Sequence, residues 1–127
     1  MVKIFNLVAA RTGLRAQEAR RAGFDPLTTE TEVWDHKSYY PGAKRLIIRM
    51  TGDRQKQRLL GVQIVGPHTA EVSKRVDIFA AALYHGMKMN AASDLDLTYT
   101  PPLSSPWDPI QEASQDWMRM LRKEEPT

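Results

Sequence analysis

Apolar and polar residues alternate along four stretches of the chain, with the period of two that indicates β-strands. Residues 45–51 and 59–65 show the alternation most clearly, and the short polar stretch between them predicts an antiparallel hairpin. One apolar face of each run is formed by Leu46, Ile48, Met50, Leu60, Val62 and Ile64. Residues 3–8 and 28–36 alternate more weakly, and we assign a strand to each of them as well.

A helical spacing replaces the alternation after the Gly-Pro dipeptide that ends the second strand of this hairpin. Apolar residues then recur every three or four positions, at Val72, Val76, Phe79, Ala80, Leu83 and Met87. Thr69 is the expected N-cap of this long helix. Glu71 is placed in the first turn and is expected to pair with Arg75 on the outer face.

Three prolines within residues 101–106 exclude a helix or a central strand there, because proline fixes φ and lacks an N–H. A last helix is predicted after them, with Asp108 as N-cap, Pro109 in the first position and Gln111 reaching back as in a capping box. Its expected apolar face is Ile110, Ala113, Trp117 and Leu121. The charged tail, residues 122–127, is expected to fray.

Shorter helical segments are expected at 15–22, which ends before the C-cap residue Gly23, and at 91–95. The resulting order is strand, helix, three strands, long helix, proline loop and helix. Consecutive strands joined by short turns predict an α+β fold, with an antiparallel β-sheet and helices packed on one face. The 127 residues fit a single domain, 1–127.

Composition changes this picture mainly by exclusion. The chain has no cysteine, so disulfides, thiolate metal ligands and a redox-active thiol are excluded. Its net charge of +3 is small and dispersed, which argues against nucleic acid as a partner. We assign the basic run 54–58 to a solvated turn rather than to a polyanion site. His36, His68 and His85 are scattered along the chain, which predicts no metal site.

The apolar runs are all short. None reaches the roughly 18 residues that a membrane span requires, so we expect no membrane partner. The apolar N-terminus lacks the length and the small-residue cleavage pattern of a signal peptide. A cytoplasmic protein is therefore expected.

Several motifs, taken in order, resemble the C-terminal dimerisation domain of the FAD-dependent pyridine nucleotide-disulfide oxidoreductases. They are Ala-Arg-Thr-Gly-Leu at 10–14, Tyr-Tyr-Pro-Gly-Ala at 39–43, Leu-Gly-Val-Gln-Ile-Val-Gly at 60–66, Lys-Arg-Val-Asp at 74–77 and the proline-rich run at 97–109. The resemblance extends from about Lys3 to Trp117 and implies the sheet-and-helix sandwich of that domain. The late loop reads Tyr-Thr-Pro-Pro, without the histidine of glutathione-reductase-like members. The chain is therefore more similar to the NADH oxidase and coenzyme A-disulfide reductase branch.

The resemblance implies catalytic roles for Tyr99 and Tyr39, acting across a dimer interface on the partner's active site. A phenol can donate a hydrogen bond to a leaving thiolate or to a bound oxygen species. Its usual pKa of about 10 makes it a poor base at neutral pH. The alternative for both residues is a packed aromatic ring with a structural hydroxyl, and Tyr40 stays open as a neighbouring candidate.

The resemblance also implies what this chain lacks. Full-length members carry FAD and NAD(P)H domains, and this sequence has no Gly-x-Gly-x-x-Gly fingerprint for a dinucleotide. We therefore expect no cofactor to be bound by this chain alone, and FAD and NAD(P)H to be held by the parent enzyme. The expected partners are a second copy, as a homodimer, and the remaining domains of the parent. The expected interface residues are Trp107, Trp117, Met87, Met89, Met118 and Met120.

Three functions stay open at this point. The favoured one is an interface domain that is not catalytic alone. The others are an enzyme complete in this chain, which would be yellow with flavin, and a stand-alone regulatory or subunit-pairing protein for a separate reductase chain. We expect a domain excised from a longer protein rather than a short open reading frame. The residues decide neither between a disulfide and oxygen as the electron acceptor nor between NADH and NADPH.

Overall fold

The structure, a computed structural model, describes residues 1–36, 38–39, 41–98 and 108–124. The strands are β1 (Val2–Ile4), β2 (Leu7–Gly13), β3 (Pro26–Trp34), β4 (Arg45–Asp53) and β5 (Leu59–Pro67). The helices are α1 (Ala16–Arg21), α2 (Val72–Tyr84), α3 (Met89–Ser93) and α4 (Pro109–Glu124). The strands form one antiparallel sheet in the order β1-β2-β5-β4-β3, which confirms the predicted α+β class.

The predicted hairpin is formed by β4 and β5, and its register produces the buried face of the sheet. Ile48 lies opposite Ile64 and Met50 lies opposite Val62. All four side chains are at most 2% exposed. Because directly paired residues point to the same face, the alternation in the sequence becomes a continuous apolar layer.

Two helices cover that layer. α2 packs on β2 and β5, whereas α4 packs on β3 and β4, with α3 beside α4. The Trp117 ring is fully buried, and its Nε1 donates a hydrogen bond to Leu27 O at 2.8 Å. Thr31 Oγ1 donates to an Asp116 carboxylate oxygen at 2.9 Å. α4 is therefore held on β3 by polar contacts as well as by apolar packing.

The opposite face of the sheet is covered, within the described residues, only where α1 and the chain before it lie. The first turn of α1 shares a groove of about 220 Å³ with Thr28 and Thr51. The hydroxyls of these two threonines are 2.9 Å apart. Glycine is required at Gly61 because a Cβ there would lie 2.0 Å from Leu14 O. The chain can cross the sheet so closely only over a residue without a side chain.

The N-terminal strand prediction is wrong in its bounds. Residues 3–8 do not form one strand, because a turn after Ile4 divides them between β1 and β2. Phe5 in this turn has a φ of 53°, and Val2 pairs with Ala9 across it. A positive φ is unusual for phenylalanine, so residue 5 itself gives no indication of the turn.

The beginning of α2 also differs from the prediction. A 3₁₀ turn occupies His68–Ala70, Glu71 is left-handed with a φ of 57°, and α2 begins only at Val72. Thr69 is therefore not the N-cap. Arg75 is 6% exposed, so the expected outer-face pair of Arg75 with Glu71 is wrong. The physical reason is that position 75 lies on the same helical stripe as the apolar positions.

The last helix begins as predicted and continues further than predicted. Asp108 N donates to Gln111 Oε1 at 3.1 Å, and Ile110 N donates to Asp108 Oδ1 at 3.1 Å, which confirms the capping box. Residues 122–124 are helical rather than frayed. The carboxylate of Glu124 accepts a 2.8 Å hydrogen bond from Arg54 Nε, which fixes the helix end against the turn between β4 and β5.

The expected interface residues are divided by the structure. Trp117 and Met89 are 0% exposed and belong to the core of this chain, so their assignment to an interface is wrong. Met87 and Met118 are partly buried against that core. Met120 is 44% exposed, and Trp107 lies outside the described residues.

Candidate interface site

The turn between β3 and β4 carries Tyr39, the first of the two predicted site residues. Its side chain is 72% exposed, and Gly42 follows it with a φ of 81° that favours glycine. Tyr99, the second predicted residue, and its alternative Tyr40 both lie outside the described residues. The structure thus presents Tyr39 toward solvent.

Asp35 closes this turn at its base. Its Oδ1 accepts hydrogen bonds from His36 N at 3.0 Å and from Lys44 N at 2.8 Å. Asp35 N in turn donates to Lys44 O at 2.8 Å. Because the aspartate is 5% exposed, these bonds form in a dry environment where they are strong. The two ends of the Tyr39 turn are therefore tied together by one side chain.

His36 is a buried member of the same group. Its Nδ1 lies 3.1 Å from Asp35 Oδ1, which favours the tautomer with the proton on Nδ1. Nε2 is buried and has no hydrogen-bond partner in the described part of the chain. A small cavity of about 170 Å³ lies here, and His36 lines it with Asp35, Gly42 and Arg75.

Arg75 on α2 places a guanidinium among three chain segments. Its Nε donates to Ala70 O at 3.0 Å, and its Nη2 donates to Asp35 O at 2.9 Å. Nη1 lies 3.4 Å from both carboxylate oxygens of Asp108. These last distances are at the long end for hydrogen bonds, so this contact is mainly a charge–charge attraction.

Asp108 faces Arg75 and also caps α4. The capping residue Gln111 extends the network, because its Nε2 donates to Leu95 O at 2.7 Å and to Ser93 O at 3.1 Å. The buried group of Asp35, His36, Arg75 and Asp108 was not predicted as a unit. The available signal was Arg75 itself, a cation placed within an apolar helical stripe.

The second feature of the site is the uncovered part of the sheet, which we call the open face. Its central row crosses all five strands through paired positions, in the order Val2, Ala9, Val65, Ile47 and Glu32. Ile47 is 43% exposed and Val65 is 39% exposed, at the middle of the sheet. A shallow groove of about 400 Å³ borders this row beside Val2 and Val65.

Charged pairs flank the apolar row of the open face. Arg49 Nη2 lies 2.8 Å from Glu30 Oε2, and Arg45 Nε lies 3.0 Å from Glu32 Oε1. The Arg45 guanidinium also lies 4.8 Å from the centre of the Trp34 ring, in cation–π geometry. An apolar centre with a polar margin is the usual composition of a protein–protein interface.

The described residues contain no cluster of three or more histidine, aspartate or glutamate side chains that could hold a metal ion. None of the helices in that part of the chain is long and apolar enough to cross a membrane. The basic run 54–58 lies in the turn between β4 and β5, where Arg54 contacts Asp25 and Glu124.

A family model for the pyridine nucleotide-disulphide oxidoreductase dimerisation domain matches residues 1–109. The chain is 34% identical over 110 residues to a NAD(P)H coenzyme A polysulfide/persulfide reductase of Pyrococcus horikoshii, with 87% of this chain and 24% of the relative covered. It is 29% identical over 110 residues to the coenzyme A disulfide reductase of Staphylococcus aureus, again with 87% of this chain and 24% of the relative covered.

The fold matches a solved structure of a NAD-dependent persulfide reductase from A. fulgidus with a TM-score of 0.90. The sequence identity is 32%, and the match covers 95% of this chain and 22% of the other. The chain thus spans about a quarter of the length of the curated relatives it matches, which are 24% covered. α4 lies almost wholly beyond the family match yet contributes Trp117 to the same core.

Proposed function

The chain belongs to the dimerisation-domain family of the pyridine nucleotide-disulphide oxidoreductases, and from that premise we propose that it is the interface domain of a larger coenzyme A-disulfide or persulfide reductase. In this proposal the parent enzyme holds FAD and NAD(P)H, and residues 1–127 form one domain that binds neither alone. The domain pairs with a second copy and with the remaining domains of the parent. We keep the cytoplasm as the proposed compartment, which fractionation of the source cells tests.

The open face is the observation that carries the proposal. The solvated face of an antiparallel sheet is usually polar, yet Ile47 and Val65 at its centre are 43% and 39% exposed. Trp34 on the same face is 42% exposed. Covering such a row removes apolar area from water and stabilises an association. Because the family is a dimerisation domain, the expected partner for the open face is a second copy of the chain.

Tyr39 and Tyr99 are the proposed contributions of this domain to chemistry. The exposed position of Tyr39 supports the proposal, because a phenol that acts on another subunit has to project from its own surface. The hydroxyl would donate a hydrogen bond to the thiolate that leaves when a disulfide is reduced. Such donation stabilises negative charge where it develops, and it requires no change in the tyrosine's own ionisation.

Light scattering at several concentrations tests the pairing of the 127-residue chain. The proposal expects a mass that rises toward twice that of the monomer as the concentration enters the micromolar range. A strict monomer at high micromolar concentration would count against dimerisation by this domain. The same preparation tests catalysis by the chain alone, since a colourless protein that takes up no FAD is not a complete flavoenzyme.

Replacement of Tyr39 and Tyr99 by phenylalanine in the intact parent enzyme tests the tyrosine roles. Loss of a hydrogen-bond donor to the developing thiolate is expected to lower kcat by about tenfold or more at each position. Tyr84→Phe is the matched control, because Tyr84 is 87% exposed at the end of α2 and has no proposed role. Unchanged turnover in either test variant would mean that its hydroxyl is structural only.

The alternative, a regulatory or subunit-pairing protein for a separate reductase chain, makes a different prediction. It expects no in-frame FAD domain in the neighbouring DNA and a stable complex with a second polypeptide. The favoured proposal expects the FAD domain in the same reading frame. Sequencing of the flanking DNA separates the two.

A further inference from the structure

We propose that Arg75 is a positioning residue, which couples the base of the Tyr39 turn to the first turn of α4. This inference rests on the proposed function, because the proposed function assigns a catalytic role to Tyr39. Asp108 is the residue at which the chain returns from the segment 99–107, which carries Tyr99 and lies outside the described residues. The guanidinium of Arg75 therefore contacts Asp35, which precedes Tyr39 in the sequence, and Asp108, the first described residue after the segment that carries Tyr99.

Each of the three guanidinium nitrogens of Arg75 has a different partner. Nε to Ala70 O at 3.0 Å and Nη2 to Asp35 O at 2.9 Å are of ordinary length and fix the plane of the guanidinium. Nη1 then faces both oxygens of Asp108 at 3.4 Å. A planar group held at two points transmits a change at the third, because it cannot rotate without breaking the other two bonds.

The charges around the guanidinium favour a coupled arrangement. Asp108 supplies the opposing charge, and it also accepts from Ile110 N. The Asp35 carboxylate accepts from His36 N and Lys44 N and so holds the turn together. The backbone carbonyl of Asp35 accepts from Arg75. Arg75 is 6% exposed and Asp108 is 8% exposed, so water does not replace a lost contact at low cost.

Lysine cannot substitute for this geometry. An ammonium group is a point charge with rotatable donors, whereas Arg75 reaches three acceptors on fixed directions of one plane. The three acceptors, Ala70 O, Asp35 O and the Asp108 carboxylate, belong to different segments of the chain. Asp108 lies 33 residues from Arg75, and Asp35 lies 40 residues from it. Arg75→Lys is therefore expected to retain the buried charge and lose the coupling.

Amide hydrogen exchange on the 127-residue chain tests the coupling. Asp108→Asn removes the charge that Arg75 faces and retains an N-cap for α4. Exchange is expected to become about tenfold faster at the amides of Asp35 and Lys44, which lie at the far end of the network. Asp116→Asn is the matched control, because it removes the same charge from α4 at a carboxylate that bonds Thr31 and not Arg75. It should leave those two amides within about twofold.

A double-variant cycle completes the test. In the Arg75→Lys background, Asp108→Asn should produce no further change at the amides of Asp35 and Lys44. Equal effects of Asp108→Asn and Asp116→Asn at those amides would overturn the proposal. An effect of Asp108→Asn that persists unchanged in the Arg75→Lys background would also overturn it.

A spectroscopic readout links the network to Tyr39 itself. With fluorotyrosine incorporated, the ¹⁹F resonance of Tyr39 should shift in Asp108→Asn and keep its position in Asp116→Asn. An unmoved Tyr39 resonance in Asp108→Asn would overturn the positioning role. None of these measurements requires turnover or dimer formation. A failure of the proposed function therefore appears in light scattering and kinetics, and a failure of the coupling appears in exchange and resonance position.

Discussion

Glu18 is a partly exposed carboxylate whose pKa is set by its neighbours. Its Oε1 accepts from Arg15 Nε at 2.6 Å and from Arg15 N at 3.2 Å, which satisfies the backbone N–H of the N-cap residue of α1. Arg11 Nη1 adds a third contact at 3.0 Å. Bonds from Arg15, followed by the charge and bond of Arg11, lower the pKa of Glu18 from 4.5 to about 2.

A lowered pKa in the folded state fixes the sign of the pH dependence. The contribution of Glu18 to stability is complete above its unfolded pKa of 4.5 and is lost as the pH falls toward about 2. Glu18→Gln should therefore flatten the stability profile over that window and leave its shape above pH 5 unchanged. Urea unfolding from pH 2 to pH 7 measures this, and Arg15→Met should reproduce part of the effect. A stability profile parallel to that of the unsubstituted chain would contradict this prediction.

Strands and helices show how far the pattern of residues predicts this fold. β4, β5 and α4 follow from the sequence because their apolar residues keep one period and local signals mark their ends, such as Asp108 and Pro109. The turn at Phe5 and the left-handed Glu71 do not follow, because both adopt a positive φ that their side chains disfavour. Tertiary contacts determine the backbone there.

The candidate site is less predictable than the elements that carry it. The family resemblance points to Tyr39, whose side chain is exposed and whose catalytic role stays a prediction. The network beneath it joins Arg75 to residues 33 and 40 positions away, and no local pattern encodes such partners. The open face escapes prediction for a related reason, since alternation shows which residues share a face and not which face is covered.

Glycines at which two elements come into close contact predict where an added methyl group lowers stability. A Cβ at Gly61 would lie 2.0 Å from the backbone oxygen of Leu14, whereas a Cβ at Gly66 would lie 2.4 Å from the end of the Leu46 side chain. Gly61→Ala should lower the free energy of unfolding by more than about 3 kcal/mol, because the backbone must shift. Gly66→Ala should cost about 1–3 kcal/mol, since a side-chain end can move. Equal costs in denaturant unfolding would contradict this ranking.

For the whole molecule, the open face is the surface expected to be buried by association. Ile47→Lys combined with Val65→Lys places two like charges in its centre, where the desolvation of unpaired charges opposes burial. We expect the dissociation constant of the dimer to rise by about tenfold or more, with little change in unfolding of the monomer. Tyr84→Lys is the control, because Tyr84 is an exposed apolar side chain at the end of α2. Weakening by Tyr84→Lys alone would assign the contact to α2 instead.

The outer edge of β3 determines which kinds of association are open to this domain. At its beginning, Pro26 has no N–H, its carbonyl accepts from Arg54 Nη1 at 2.6 Å, and Leu27 O accepts from Trp117. A foreign strand that tried to extend the sheet would find these groups already occupied. Farther along, exposed Glu30 and Glu32 add charged side chains to this edge strand, which disfavours pairing with another strand. We therefore expect copies of this chain to avoid edge-to-edge stacking along β3, the arrangement that leads to fibrils, and to associate through their faces.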